Sequence, residues 1–210
     1  MTDTVKSHVI SENLITDRQW AYHAGHSTEL LLIHLVEIWR KAIDENLVVR
    51  AAFVNSRKAF DCVSNPLLLH KLQYQFGMTG NILSWVTDYL TESKQFTIVN
   101  GKNSDTEVVR YGVPQGSVLG LLLFALCTSD MPSSIKRGTV YIYADNTTVY
   151  IIGKSIDEVT ASLNLALSEL YAWCIANSLI PHPTKCEAML FHRGSFHGPI
   201  NSLNIGKKRR

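Results

Sequence analysis

The chain has few of the residues that build disulfide frameworks or zinc sites. Only four of its 210 residues are cysteines, and no two of them form a C-x-x-C pair. Closely spaced cysteine pairs are the usual signature of structural zinc, so this spacing argues against such a site. It favours reduced thiols in the core of a cytoplasmic or nuclear protein. The four cysteines are Cys62, Cys127, Cys174 and Cys186.

The chain also lacks a strong charge of either sign and a long apolar run. Its net charge is +2, with 18% charged and 46% hydrophobic residues, which is ordinary for a globular protein and argues against disorder. A weakly basic balance permits nucleic-acid binding without requiring it. No run approaches the roughly 20 apolar residues of a membrane span, and the N-terminal residues lack the apolar core of a signal peptide. The length suits one domain with a sizeable core, and we expect no membrane partner.

The most informative stretch is residues 140–152, where two β-rich runs flank the polar pair Asp145 and Asn146. This pattern predicts a β-hairpin with both polar residues in its turn. A tight turn between buried strands holds a carboxylate at a fixed point, as a metal site requires. Upstream, residues 51–55 form a second apolar run that ends at Asn55, and a glycine-rich segment at residues 112–120 lies between the two.

In this order, the three stretches resemble the central motifs of reverse transcriptases from non-LTR (LINE-type) retrotransposons. The family's first motif, F-x-D-x-x-x-A-F-D, corresponds to residues 53–61, and its third motif, Y-A-D-D, to residues 143–146. Its second motif, G-V-P-Q-G-S-V-L-G-P, is matched at nine positions from Gly112 to Gly120 and then departs at Leu121. The nine-residue match is highly specific.

The resemblance extends beyond these motifs and implies the fold. Residues 19–28 are similar to the family's Q-x-G-F-R-x-G-H-S-T segment, and residues 177–191 to a later A-N-K-L segment with its lysine and returning strand. The implied fold is α+β: a right-hand polymerase palm of the split βαβ type, with helices on one face, partial fingers and no thumb. The resemblance divides the chain into an N-terminal edge (residues 1–18), partial fingers (19–46), a palm (47–192) and a basic C-terminal tail (193–210).

The periodicity of the sequence predicts elements consistent with that fold. Apolar residues at helical spacing predict helices over about 28–45 and 82–90, and Pro66 suits the first turn of another helix. Ser155 and Glu158 form a capping box before a long apolar helix. Asn100-Gly101 predicts a hairpin turn between residues 94–99 and 106–110.

The resemblance implies a two-metal phosphoryl transfer in which three carboxylates hold two Mg²⁺ ions. The corresponding positions are Asn55, Asp145 and Asn146, so two of the three are neutral amides and only Asp145 is a charged ligand. Each lost charge forfeits several kcal/mol of attraction to the metal. A net loss of ~3 kcal/mol slows turnover by about two orders of magnitude.

The resemblance also assigns a nucleotide pocket. Phe60 takes the position of the family's steric gate, which excludes a ribose 2′-hydroxyl. Gln115, Gly116 and Tyr143 lie in motifs that line the nucleotide and template path. Lys185 matches a lysine suggested to assist pyrophosphate departure, and it completes the catalytic set. Without the resemblance, Phe60 would be interpreted as a core residue and Lys185 as a surface residue.

Three functional interpretations stay open at this point. The first is a reverse transcriptase domain, weak or inactive, with an RNA template, a DNA primer and deoxynucleoside triphosphates as partners. The second is a non-catalytic palm that binds RNA or another partner, and the third is a pseudogene product. Further departures from the family pattern at His23, Leu121, Cys127 and Ser129 indicate a decaying element and not a deliberately inactivated enzyme.

Overall fold

The computed structural model describes residues 2–12, 14–23, 25–91, 93–182 and 184–194, together with 203 and 205. The basic run that was predicted as part of the tail, residues 207–210, lies outside these. The chain forms two compact units. We call them the helical unit (Met1–Ile15 and Lys58–Thr128) and the sheet unit (Thr16–Arg57 and Ser129–Arg210).

Both helices and strands are well represented, as an α+β fold requires. The helices are α1 (Thr2–Ser11), α2 (Thr28–Asp44), α3 (Asn65–Tyr74), α4 (Gly80–Thr91), α5 (Val118–Thr128), α6 (Met131–Ser134) and α7 (Ile156–Ala176). The strands are β1 (Val48–Asn55), β2 (Lys94–Gln95), β3 (Ile98–Val99), β4 (Lys102–Asn103), β5 (Glu107–Val108), β6 (Thr139–Tyr143), β7 (Asn146–Gly153) and β8 (Glu187–Phe191). A 3-10 helix spans Phe60–Cys62.

The sheet unit contains a four-stranded sheet in the order β6-β7-β1-β8. Every neighbouring pair is antiparallel, and β1 is central, pairing with β7 on one side and β8 on the other. Strand β1 is mostly apolar because it is buried: Val49, Ala51 and Ala52 are fully buried, and a central strand tolerates few polar side chains. The register places Asn55, the last residue of β1, opposite Asn146, the first residue of β7.

Helices cover both faces of this sheet, so the prediction of helices on one face only is wrong. On one face, Val49 and Ala51 of β1 pack in a cluster with Leu35 and Trp39 of α2. On the opposite face, Arg50 donates a hydrogen bond to Thr160 of α7. Alternate residues of a strand point to opposite faces, so the apolar residues on both sides of β1 required a cover on each side.

Helix α7 forms the core of one face and begins as the capping box predicts. The Ser155 hydroxyl accepts a hydrogen bond from the Glu158 N–H at 3.2 Å, and a carboxylate oxygen of Glu158 accepts one from the Lys154 N–H at 2.9 Å. Among the described residues, α7 is also the one helix long and apolar enough to cross a membrane, with a mean hydropathy of 1.2. Several of its apolar side chains, Leu163 and Leu167 among them, are fully buried within the protein, whereas Leu165 and Ile175 are exposed.

The helical unit is built around α5, nine of whose eleven residues are buried. Lys71 of α3 is buried too, and its ammonium donates to the carbonyl of Cys127 in the last turn of α5 at 2.8 Å. A cation is favoured there because the carbonyl groups at a helix C-terminus carry partial negative charge. Helix α1 packs against α5 through buried Val5 and Val9. The sequence predicted only an unstructured edge before residue 19, since two spaced valines are a weak helical signal.

The predicted hairpin around Asn100-Gly101 is present, but as two short ladders. Strand β2 pairs with β5, and β3 pairs with β4 around the Asn100-Gly101 turn. Both turn residues have positive φ, 51° and 76°, as a type I′ turn requires. All eight residues of these four strands are exposed, so no burial extends the pairing.

Candidate functional site

The β6–β7 hairpin of the sheet unit carries the one predicted metal-binding residue that is charged. Its two-residue turn consists of Ala144 and Asp145, while Asn146 is already the first residue of β7, paired with Tyr143. The prediction that Asn146 lies in the turn is therefore wrong by one position. Ala144 has a φ of 54°, which costs an L-residue about 1 kcal/mol or more. A backbone held in this region needs support from its surroundings.

Asn55 and Asn146 form the second part of the site. They face each other across the β1–β7 ladder, and the Asn55 amide Nδ2 donates a hydrogen bond to Asn146 Oδ1 at 2.9 Å. Asn146 is exposed and Asn55 half-buried. The sheet register thus brings all three predicted ligand positions to one end of adjacent strands.

These residues do not fit two Mg²⁺ ions. Magnesium takes oxygen ligands and is usually held by carboxylates together with substrate phosphates. Asp145 is the only carboxylate of the three, and the Oδ1 of Asn146 already accepts from Asn55. Within the described part of the chain, no three His, Cys, Asp or Glu side chains converge as a metal-binding group. Of the three predicted ligand positions, only Asp145 therefore offers a negative charge to a cation.

The side chain of Gln19 supports the β6–β7 turn through hydrogen bonds. Its side chain is fully buried, and Oε1 accepts hydrogen bonds from the backbone N–H of Ala144 at 3.1 Å and of Ala21 at 3.2 Å. Its Nε2 donates to the Ala144 carbonyl at 3.5 Å. The backbone around it runs beside β6, with the Trp20 N–H donating to the Ile142 carbonyl at 2.8 Å. One amide side chain therefore holds both peptide groups of the strained residue before Asp145.

Tyr22 lies in the electrostatic environment of Asp145. Burial raises the pKa of the Tyr22 phenol to about 12, with smaller contributions from the charge of Asp145 and from Tyr143. The Tyr22 hydroxyl is buried without a hydrogen-bond partner among the described residues. It is therefore a neutral hydroxyl across the physiological range. Its φ of 73° shows that the loop departs from ordinary backbone conformations at this point.

A second segment runs along the other side of Asn55. The His182 N–H donates to the Asn55 carbonyl at 2.7 Å, and the Arg57 N–H donates to the Ile180 carbonyl at 2.8 Å. Lys185 follows three residues after His182, in the turn before β8, and is exposed. The structure thus places Lys185 on a segment anchored to the end of β1. Its predicted role in catalysis stays a prediction.

Tyr143, the last residue of β6, has a packing role in the sheet unit. It is partly buried and packs against the aromatic and aliphatic cluster between α2 and the sheet. Its position opposite Asn146 fixes the hairpin. A role in nucleotide binding stays a prediction beside this packing role.

The nine-residue motif at 112–120 belongs to the helical unit. At two of its glycines, a larger side chain would collide with neighbouring backbone atoms. Gly112 has a φ of 94°, and a Cβ there would lie 3.0 Å from the Phe60 carbonyl oxygen. A Cβ at Gly120 would lie 2.2 Å from the Pro114 carbonyl oxygen, so only glycine lets α5 pack on this loop. Ser117 accepts from the Gly120 N–H at 2.9 Å and closes the first turn of α5.

The other predicted nucleotide-binding residues also lie in the helical unit. Phe60 begins the 3-10 helix and stacks on Phe124 of α5, with ring centroids 4.4 Å apart. Gln115 and Gly116 form the exposed turn of the motif. The packing on Phe124 agrees with the interpretation of Phe60 as a core residue and leaves its role as a steric gate a prediction.

Sequence reasoning missed Gln19 and Tyr22 as parts of the site. The only signal in the sequence was their membership in the segment at residues 19–28. Periodicity cannot show that this loop reaches β6, because the contact joins positions more than 120 residues apart.

Comparisons with known proteins agree with these observations. A family profile described as reverse transcriptase (RNA-dependent DNA polymerase) matches residues 1–208. The RNA-directed DNA polymerase from the mobile element jockey of Drosophila melanogaster is 30% identical over 193 residues, 89% of this chain and 21% of that polymerase. A probable RNA-directed DNA polymerase from transposon BS of the same species is 28% identical over 82% of this chain and 20% of its own length. The chain thus spans about a fifth of these curated relatives.

The fold also resembles solved structures. Apo telomerase from Candida tropicalis superposes with a TM-score of 0.64 and 9% identity, over 89% of this chain and 36% of that one. Telomerase from the same species in complex with a fragment of telomeric RNA gives a TM-score of 0.61 at 13% identity, over 80% of this chain and 30% of that one. At such identities the likeness concerns the fold alone, and it agrees with an α+β architecture of the polymerase palm type.

Proposed function

Because the chain belongs to the reverse transcriptase family, we propose that it is the reverse transcriptase domain of a non-LTR retrotransposon with a disabled metal site. In this proposal its partners are an RNA template, a DNA primer and deoxynucleoside triphosphates, and it acts in the cytoplasm or nucleus. It supports nucleotidyl transfer at least about 100-fold more slowly than a version with carboxylates at positions 55 and 146.

The observation that carries the proposal is the hydrogen bond between Asn55 and Asn146. The family generally uses Mg²⁺, and carboxylates at these positions would leave the site with a charge of −3. Here the charge is −1, and the amide nitrogen of Asn55 is turned toward the oxygen that would otherwise coordinate the metal. Since like charges no longer oppose each other, the amides stabilise the strand ends without a cation. The same change removes the attraction that would recruit one.

Primer extension on a poly(rA)–oligo(dT) template with Mg²⁺ tests the proposal. The chain is compared with the Asn55→Asp, Asn146→Asp double variant. The proposal predicts that the double variant extends the primer at least about 100-fold faster than the natural sequence, because it regains two metal-binding charges. The natural chain and the double variant differ only at two side chains that already face each other, so we expect the sheet register to be retained.

A matched control separates a local effect from a general gain of negative charge. Asn81→Asp with Asn103→Asp adds the same two charges at exposed positions of the helical unit. This control is expected to extend no faster than the natural chain. The proposal would be contradicted if the natural chain extended the primer at a rate within tenfold of that of the double variant. It would also be contradicted if the double variant extended no primer although circular dichroism shows that it is folded.

A non-catalytic palm that binds RNA is the second candidate. The observation that favours it is the ordered backbone of the sheet unit at this point, where the Gln19 contacts hold the turn of the β6–β7 hairpin. Binding a nucleic-acid strand depends on cationic and aromatic groups and not on the carboxylates. A chain that binds single-stranded RNA but does not extend the primer would fit this function.

A further inference from the structure

Helix α2 of the sheet unit is apolar on two faces. One face lies in the cluster with β1 and carries the buried residues Leu31, Leu35, Trp39 and Ala42. The other face carries four large apolar residues that are between 45% and 60% exposed, Leu30, Leu32, Ile33 and Val36. Single exposed apolar residues are ordinary on a protein surface, whereas a contiguous apolar patch marks a site of interaction. The exposed apolar face of α2 is therefore a candidate interface.

Four exposed residues of this face lie in one line along the helix, which we call the α2 stripe. The stripe consists of Glu29, Ile33, Val36 and Arg40. Their spacings are four, three and four residues, and residues three or four apart lie on the same side of an α-helix. The same alternation of spacings forms the seam of a coiled coil. The α2 stripe thus has an apolar centre, an acidic end and a basic end.

The α2 stripe is complementary to itself when two copies run antiparallel. A two-fold axis between residues 34 and 35 places Ile33 opposite Val36 of the second copy. The same axis places Glu29 opposite Arg40 of the second copy. Because a two-fold axis repeats every contact, each of these pairs occurs twice. A parallel arrangement would instead put each charge beside its like, so the order of the residues favours an antiparallel pair.

The two charges of the α2 stripe can pair with a second copy. The Arg40 guanidinium donates to Asp44 at 3.3 Å, but this pair is exposed, and exposed ion pairs contribute little stability. Hydrogen bonds from its own backbone N–H and from Ser27 hold the pKa of Glu29 below its usual range, so the carboxylate is ionised at neutral pH. A carboxylate has room for several donors. Both groups can therefore form ion pairs between copies.

The charges of the whole exposed face disfavour other common partners of an apolar helix. The exposed charged residues of α2 and its C-terminal cap are four acidic and two basic: Glu29, Glu37, Asp44, Glu45, Arg40 and Lys41. Nucleic acids and anionic membrane surfaces are bound by helices with an excess of basic residues. The acidic balance of α2 therefore favours a protein surface as its partner.

We propose that the chain associates with a second copy of itself through an antiparallel, two-fold pair of α2 stripes. Ile33 lies against Val36 of the second copy at the centre of this pair, and the ion pairs lie at its two ends. One pair of helices buries less than the roughly 1,200 Å² of a standard specific interface, so the dimer is weak, with a dissociation constant on the order of 10–100 µM. The inference requires no metal and no nucleic acid, and it is independent of the proposed function.

Sedimentation equilibrium of the natural chain tests the inference. Between about 1 and 300 µM, the mean mass is expected to rise from 23.5 kDa toward twice that value. The Ile33→Gln, Val36→Gln variant is expected to dimerise at least about tenfold more weakly, because it removes the apolar centre of the stripe. Glutamine is a good helix former, and both positions are exposed, so the helix is expected to persist. Circular dichroism checks that it does.

A matched control removes two similarly exposed apolar residues from another helix of the same unit. Leu165→Gln with Ile175→Gln changes α7, where both side chains are about half exposed. Its dissociation constant is expected to stay within about twofold of that of the natural chain. Equal weakening by the two pairs of substitutions would overturn the inference, because it would indicate non-specific association of apolar surface.

Charge reversal tests the antiparallel arrangement. Arg40→Glu places a second acidic residue opposite Glu29 of the other copy, and Glu29→Arg places a second basic residue opposite Arg40. Each single variant is expected to dimerise about threefold or more weakly. The variant with both changes exchanges the two charges, and it is expected to dimerise within about twofold of the natural chain. These variants keep the apolar centre, so they serve if the Ile33→Gln, Val36→Gln variant does not fold.

Three further results would overturn the inference. One is a mass of 23.5 kDa at every concentration. Another is a failure of the charge exchange to restore the dimerisation that each single reversal weakens. The third is binding of the natural chain to phosphatidylcholine vesicles that is lost in the Ile33→Gln, Val36→Gln variant, which would assign the face to a lipid surface. None of these results depends on the extension assay.

Discussion

At the scale of single residues, Asn55 and Asn146 pair with each other at two of the three positions where the resemblance predicts metal ligands. A carboxylate and its amide differ little in volume, so the β1–β7 register accommodates either. The difference lies in hydrogen bonding: an amide donates, and one Asn can therefore satisfy the other directly at 2.9 Å. Paired carboxylates at the same distance would repel each other unless a cation lay between them.

Gln19 provides a prediction at the same scale. Gln19→Met keeps a similar volume but removes the groups that hold both peptide units of Ala144. We expect the free energy of unfolding to fall by about 2 kcal/mol or more, because buried backbone groups lose their partners. Urea denaturation followed by circular dichroism measures the change.

The matched control for that change is Gln73→Met. Gln73 is an exposed residue of α3, so the same substitution there is expected to alter the free energy of unfolding by less than about 0.5 kcal/mol. Equal effects at the two positions would show that the contacts of Gln19 with the turn contribute no stability.

At the scale of elements, two leucines of α7 that lie two positions apart differ in how much of their side chain is buried. Leu163 is fully buried against the sheet, whereas Leu165 is 46% exposed. Leu163→Ala is expected to lower the free energy of unfolding by about 2 to 5 kcal/mol, since it removes buried methyl groups and leaves a cavity.

Leu165→Ala tests the same chemistry on the same helix. It is expected to cost less than about 1 kcal/mol, because much of its surface already faces water. Both values come from urea unfolding at one pH. A cost at Leu165 as large as that at Leu163 would mean that α7 does not pack with the face that the structure shows.

Much of this architecture could be predicted from the sequence, for identifiable reasons. Helix α2 was predicted to within one residue of its end, because its apolar residues recur at helical spacing and Ser27 caps it. The β6–β7 hairpin was predicted from two β-rich runs around a polar pair, and β1 from the apolar run that ends at Asn55. The identity of the candidate metal ligands followed from motif order alone.

The parts that could not be predicted depend on contacts between distant residues. Nothing local shows that Gln19 reaches Ala144, or that α2 and α7 lie on opposite faces of β1. The one-residue error at Asn146 has a similar origin. Whether Asn146 lies in the turn or in β7 depends on the register between β6 and β7, which the alternation of residue types does not specify.

At the scale of the whole molecule, the motifs of the family are divided between two compact units. The Asn55, Asp145 and Asn146 positions lie in the sheet unit, and the 112–120 loop lies in the helical unit. In the proposed function, the two amides that weaken metal binding both lie in the sheet unit. The helical unit keeps its motif and packing, which is why nucleic-acid binding and nucleotidyl transfer are tested separately.

The most direct test of the central claim is a measurement of Mn²⁺ binding by electron paramagnetic resonance, with Mn²⁺ as a probe of the Mg²⁺ site. The natural chain is compared with Asn55→Asp, Asn146→Asp and with the Asn81→Asp, Asn103→Asp control. The account predicts that only the first variant binds Mn²⁺ at the site, at least about tenfold more tightly than the natural chain. Equal, saturable binding of Mn²⁺ by the natural chain and that variant would contradict the claim that the two amides disable the metal site.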